Sequence, residues 1–134
     1  MVQIDATYLP GLKCQAVHEP SGTVLITAAP KDNMGDGSSF SPTDLLATAL
    51  GTCMLTTMAI VAERHGIDLT DSTVRVLKEM SPMPRRVAKL TVDIHIIKHI
   101  APEHRPRLEA AAMACPVHKT IGPETDIPVT FTWA

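Results

Sequence analysis

Basic charge is scarce in this chain. Twelve Lys and Arg stand against fourteen Asp and Glu, giving a formal net charge of −2 and a pI near 6.3. No positive field is available to hold a nucleic-acid backbone or an anionic membrane surface, so neither partner is expected. The opening Met-Val-Gln-Ile-Asp lacks the basic start and apolar core of a secretory leader, which points to the cytoplasm. Cysteine is limited to Cys14, Cys53 and Cys115. In a reducing compartment these are expected as free thiols or a transient redox pair rather than permanent cross-links, and the odd count leaves Cys14 without an obvious partner. No internal repeat, low-complexity tract or linker interrupts the 134 residues, so a single domain over 1–134 is expected. The signal for metal is weak: Cys115-Pro-Val-His118 has no second local ligand pair to complete a site, and neither metal nor cofactor is expected.

Long apolar runs are equally rare. The one candidate is Leu45 to Ala62, 18 residues without a charge, which only just reaches the lower limit for crossing a hydrocarbon core. Thr48, Thr52 and Thr56 recur every fourth residue and make a mildly polar stripe. The reading is therefore the central helix of a soluble fold. Its start is well marked, with Ser41 as N-cap, Pro42 as first helical residue and Asp44 in capping-box position; it should run to about His65 and stop at Gly66.

Around this helix the sequence alternates with the period of strands. Val2, Ile4, Ala6 and Tyr8, then Leu12, Cys14 and Ala16 across the turn pair Pro10-Gly11, read as a hairpin. Thr23 to Thr27 is a third strand, followed by a Gly-, Asp- and Ser-rich loop from Pro30 to Phe40 that is long enough for mobility or function. Thr73 to Met80 and Arg86 to Ile97 are two further strands; in the second, Leu90, Val92, Ile94 and Ile96 share one face and Lys89, Thr91, Asp93 and His95 the other. A second helix is expected from about Pro102 to Cys115, yielding at Pro116, with the apolar stripe Leu108, Ala111, Ala112, Cys115. Ile127, Val129, Phe131 and Trp133 close the chain as a strand. The order predicts an α+β fold, a long central helix packed on antiparallel sheets. One small sheet cannot cover the whole circumference of an apolar helix, so a homodimer with the two central helices near each other is expected.

The run Phe40-Ser-Pro-Thr-Asp-Leu-Leu-Ala-Thr-Ala-Leu-Gly-Thr-Cys53-Met, with Cys115-Pro-Val-His-Lys 62 positions after Cys53, resembles the OsmC/Ohr superfamily of osmotically inducible and organic hydroperoxide resistance proteins. His18-Glu-Pro-Ser-Gly22 and Pro84-Arg-Arg-Val87 extend the likeness over nearly the whole chain. The resemblance implies an OsmC-like α+β fold of intertwined homodimers with two active sites at the subunit interface. It also implies thiol-dependent reduction of organic hydroperoxides, with Cys53 peroxidatic, Cys115 resolving, and a dithiol such as a lipoyl group as reductant. In the best-characterised peroxidase branch a glutamate follows the motif proline and pairs with an arginine near the N-terminus. Here Thr43 follows Pro42, Asp44 comes one residue later, and Lys13 stands where the arginine is expected.

A thiolate attacks an O–O bond far better than a thiol, and an ordinary cysteine, with pKa about 8.5, is mostly protonated at neutral pH. Cys53 lies mid-helix, beyond the first turn where the dipole helps, so a nearby cation is required. Lys13 is the first candidate, with His18 and Arg86 as others. Asp44 lies nine residues before Cys53, about 13 Å along the helix and half a turn round it. It cannot touch that sulfur on its own helix; it either orients Lys13, serves the neighbouring subunit, or caps its helix. Each thiol alone also reads as a small buried hydrophobe, and Cys14, sharing a face with Leu12 and Ala16, is taken as structural. A different functional class is a non-catalytic or weakly active dimer that binds a small apolar ligand or senses redox state; lysine in place of arginine favours it, because lysine lacks the planar fork that grips a carboxylate or peroxide.

Overall fold

The alternation in the first 28 residues builds a meander in the computed structural model, which describes residues 1–134. Strands β1 (Ile4–Leu9), β2 (Lys13–His18) and β3 (Thr23–Ala28) pair antiparallel in that order. The loop that follows is tied down. The Gly35 and Gly37 amides donate to the Pro30 and Ala29 carbonyls, and the Ala28 amide donates to Phe40. Ser39 Oγ donates to the Ile26 carbonyl at 2.8 Å. A Cβ on Gly35 would stand 1.8 Å from the Ala29 oxygen, so only glycine permits this close return.

Two compact units form, residues 1–46 and 47–134. Within the first, only Ala28 and Ser41 are buried, while Ile4, Tyr8, Val24, Leu25 and Ile26 are exposed. This sheet has almost no interior of its own.

Helix α1 (Pro42–Arg64) begins as the capping signature requires. The Ser41 amide donates to Asp44 Oδ2 at 2.9 Å and the Asp44 amide to Ser41 Oγ at 3.1 Å, so two otherwise orphaned N–H groups are satisfied reciprocally. Length and composition would let α1 cross a membrane. One side of it, however, is the core of the second unit: Ala47, Leu50, Met54, Met58 and Ala62 recur at three- and four-residue spacing and are buried. The threonine stripe Thr48, Thr52, Thr56 is exposed.

The second unit gathers the buried apolar face of α1 into one core with β5 (Arg85–Ile96), whose Leu90, Val92, Ile94 and Ile96 are fully buried, as their alternation predicts. β4 (Thr73–Pro82) pairs antiparallel with β5 around a cis Met83–Pro84 bond. A Cβ on Gly51 of α1 would come within 2.7 Å of Val76 Cγ2, so glycine lets the helix sit directly on β4.

Two expectations are corrected. The last strand, β6 (Val129–Trp133), lies parallel to β5, with Val92 opposite Val129 and Ile96 opposite Trp133, so this sheet is mixed rather than antiparallel. The chain reaches β6 by returning through two helices, which reverses its direction. The expected single helix from Pro102 to Cys115 is also divided. A 3₁₀ turn, Pro102–His104, leads into α2 (Arg105–Met113), and a separate short helix α3 (Pro116–Thr120) follows. Leu108 and Ala112 of α2 join the core, as does Cys115, which lies between the two helices.

Candidate active site: two adjacent thiols

Cys53 and Cys115 both belong to the second unit and lie close to one another. Cys53 projects from the middle of α1, half-buried and packed against the core. Cys115 is fully buried. It does not end a helix, as the apolar stripe implied, but starts one. Its backbone is extended, and its Sγ accepts the His118 amide at 3.3 Å as the N-cap of α3. Proline at the first helical position suits this role, since its missing N–H would have had no partner there.

Both cysteines are free thiols, and they are near enough for the Cys53 side chain to act on the Cys115 thiol. Burial pushes the Cys115 thiol up from its ordinary value; the His118 amide opposes this, and the adjacent Cys53 sulfur reinforces it. The proton is therefore held at Cys115, and the more accessible sulfur is that of Cys53. Alkylation of reduced native protein with iodoacetamide, followed by peptide mass, is expected to label Cys53 well before Cys115. Labelling of Cys115 at the same rate as Cys53 would contradict this arrangement.

The other residues singled out in the sequence have partners of their own. Lys13 Nζ lies 3.1 Å from Asp36 Oδ2. The Asp36 carboxyl is lowered to about 2, first by its hydrogen bonds with Ser38 and then by Lys13. Nothing in the spacing of a Gly- and Ser-rich loop identifies Asp36 as the partner of a strand lysine. Asp44 completes the capping box. Lys13 and Asp44 belong to the first unit, both thiols to the second. His18 Nδ1 is 2.6 Å from Ser21 Oγ, and Arg86 Nη1 donates to the Val87 and Glu124 carbonyls. Cys14 lies on β2 between Tyr8 and Thr27 of the neighbouring strands. The amide of His118 was invisible to residue-type reasoning; the only signal for it is Pro116, which marks a helix start as readily as a stop.

Residues 35–130 match the family model described as OsmC-like protein. Among solved structures, a candidate osmotic stress induced and detoxification response protein from Psychrobacter arcticus is 38% identical, with a TM-score of 0.93 over 98% of this chain and 96% of that one. An organic hydroperoxide resistance protein OsmC from Legionella pneumophila is 20% identical, with a TM-score of 0.74 over 98% of this chain and 96% of that one. The organic hydroperoxide resistance protein OhrB of Bacillus subtilis is 17% identical, with a TM-score of 0.66 over 98% of both chains. At these last two identities the likeness is one of fold. No curated protein matches the chain.

Proposed function

The chain belongs to the OsmC-like protein family, and on that premise we propose that it is a cytoplasmic, cofactor-free thiol peroxidase that reduces organic hydroperoxides through Cys53 and Cys115. The observation that carries the reading is a half-buried thiol on α1 close to a fully buried one. The names of the Legionella and Bacillus relatives, organic hydroperoxide resistance proteins, support the substrate class.

The chemistry follows from which sulfur is accessible. The Cys53 thiolate attacks the terminal oxygen of ROOH; the O–O bond breaks, RO⁻ leaves and takes up a proton as ROH, and Cys53 becomes a sulfenic acid. Cys115, deprotonated in its turn, attacks that sulfur, the S–O bond breaks, and the oxygen departs as water. The sum is two thiols and one hydroperoxide converted to a disulfide, an alcohol and water. An external dithiol such as a lipoyl group then exchanges with the disulfide and restores both thiols. Burial suits Cys115 to the resolving role, because a thiol held protonated does not compete for peroxide but is already in contact when the sulfenic acid forms. Lys13 and Asp44 are proposed to contribute to thiolate stabilisation or orientation in the homodimer.

The working form is proposed to be a homodimer with its sites at the subunit interface. The support is the first unit, a three-stranded sheet with two buried residues, which is marginal unless another surface covers it.

The test is a chain in which Cys115 is replaced by serine and exposed to cumene hydroperoxide. Reduction of one equivalent should proceed, and the Cys53 sulfenic acid should accumulate and react with dimedone. If Cys115→Ser instead turns over with a dithiol as fast as the parent and no adduct forms, Cys115 does not resolve Cys53. A non-catalytic redox sensor of the same fold would form the disulfide but fail to sustain turnover with any dithiol.

A further inference from the structure

We propose that forming the Cys53–Cys115 disulfide uncaps helix α3, so that the His118 amide, held by the Cys115 sulfur in the reduced protein, is released in the oxidised one. The inference rests on the proposed pairing of the two thiols and adds a conformational consequence to it.

The two thiols are close to one another and not bonded. A covalent bond requires them to come closer, so at least one must move. Cys53 is poorly placed to do so. It lies in the middle of a 23-residue helix, with Leu50 and Met54, its neighbours on the buried side, fully enclosed in the core. The Thr57 hydroxyl also donates to the Cys53 carbonyl at 2.8 Å, a second hold on that turn of helix. Cys115 sits between two helices, with α2 ending at Met113 and α3 starting at Pro116, in extended rather than helical backbone. Rotation there breaks no intrahelical ladder. The sulfur at position 115 is the one that travels.

That sulfur is also the side-chain cap of α3. Its acceptance of the His118 amide satisfies one of the donors that a helix start leaves without a partner. Swinging the sulfur toward Cys53 withdraws it from the amide, and a disulfide sulfur is a poorer acceptor than the thiol it replaces. The loss falls on the first turn of a helix of five residues. Balance is kept by the resolving step already written: the S–S bond forms as the sulfenic S–O bond breaks and water leaves. The consequence is specific to one end of the segment. Val117 packs on the core and the Lys119 amide donates to the Cys115 carbonyl. The His118 amide is therefore the group whose protection depends on the sulfur.

Hydrogen exchange of the His118 amide, followed by NMR, tests this. Reduced protein is compared with protein oxidised by diamide, which links any close pair of thiols, and the disulfide is confirmed by peptide mass. Exchange at His118 should be about five-fold faster in the oxidised form, the loss of an ordinary N-cap. Cys115→Ala should show the same acceleration without oxidation, Cys115→Ser should retain protection through its hydroxyl oxygen, and Cys53→Ser should be unaffected by diamide. A confirmed disulfide with His118 protection unchanged overturns the inference, as does Cys115→Ala with unchanged protection. Failure of diamide to form the link overturns it also. Failure with cumene hydroperoxide alone, while diamide succeeds, counts against the peroxidase reading and leaves the helix measurement intact.

Discussion

Cys53→Ser is expected to lose hydroperoxide reduction down to the rate of buffer, a fall of about 10³-fold or more in dithiol-dependent consumption of cumene hydroperoxide. The magnitude follows from the chemistry. The reaction needs an atom that can accept oxygen from the O–O bond and give it up again, and a serine hydroxyl cannot be oxidised in this way. The fold should survive, because Cys53 is half-buried and serine is nearly its size. An unchanged melting temperature alongside lost activity separates a missing nucleophile from a damaged scaffold. Parent and Cys53→Ser proteins consuming peroxide equally would remove the enzyme reading.

The second large effect concerns the scaffold that holds the nucleophile. Leu50 is fully buried one helical turn before Cys53, within the same cluster as Leu90, Val92 and Ile94 of β5. Truncating it removes buried methyl groups and leaves a cavity that a helix seated this closely on its sheet cannot collapse to fill. Leu50→Ala should cost about 3 kcal/mol, within the range for buried leucine, and lower Tm by about 10 °C. The contrast is Thr52, two residues on and exposed. Its hydroxyl donates only to the Thr48 carbonyl of its own helix at 2.7 Å, with a longer contact to Ala49. Thr52→Ala should therefore stay within about 0.5 kcal/mol. Thermal unfolding with matched calorimetry checks both, and a Leu50→Ala cost below that of Thr52→Ala would contradict the placement of α1 in the core.

Much of this architecture was legible in the residues because it is written locally. Ser41, Pro42 and Asp44 mark the start of α1 through bonds that span three positions, and the alternation from Leu90 to Ile96 states which face of β5 is buried. What the sequence did not carry is what depends on distant partners. The direction of β6 is set by how α2 and α3 return the chain, and alternation is the same in a parallel and an antiparallel neighbour. Pro116 is ambiguous between ending one helix and starting the next; reading it as a stop placed Cys115 at a helix end, when its sulfur caps a helix start. Lys13 was correctly placed on the second strand. Its carboxylate, Asp36, comes from a loop whose composition promised mobility, yet backbone bonds to Ala29 and Pro30 hold it in place. The pairing of Cys53 with Cys115 came from resemblance, because residues 62 positions apart carry no local signal of being neighbours in space.

The most direct measurement mixes fully reduced protein with one equivalent of cumene hydroperoxide, counts the remaining thiols, and maps the product by peptide mass under non-reducing conditions. Two thiols should disappear for each hydroperoxide consumed, with Cys53 joined to Cys115 and Cys14 still free. Three thiols remaining with the peroxide intact, or a disulfide that includes Cys14 in place of either partner, would contradict the two-cysteine centre.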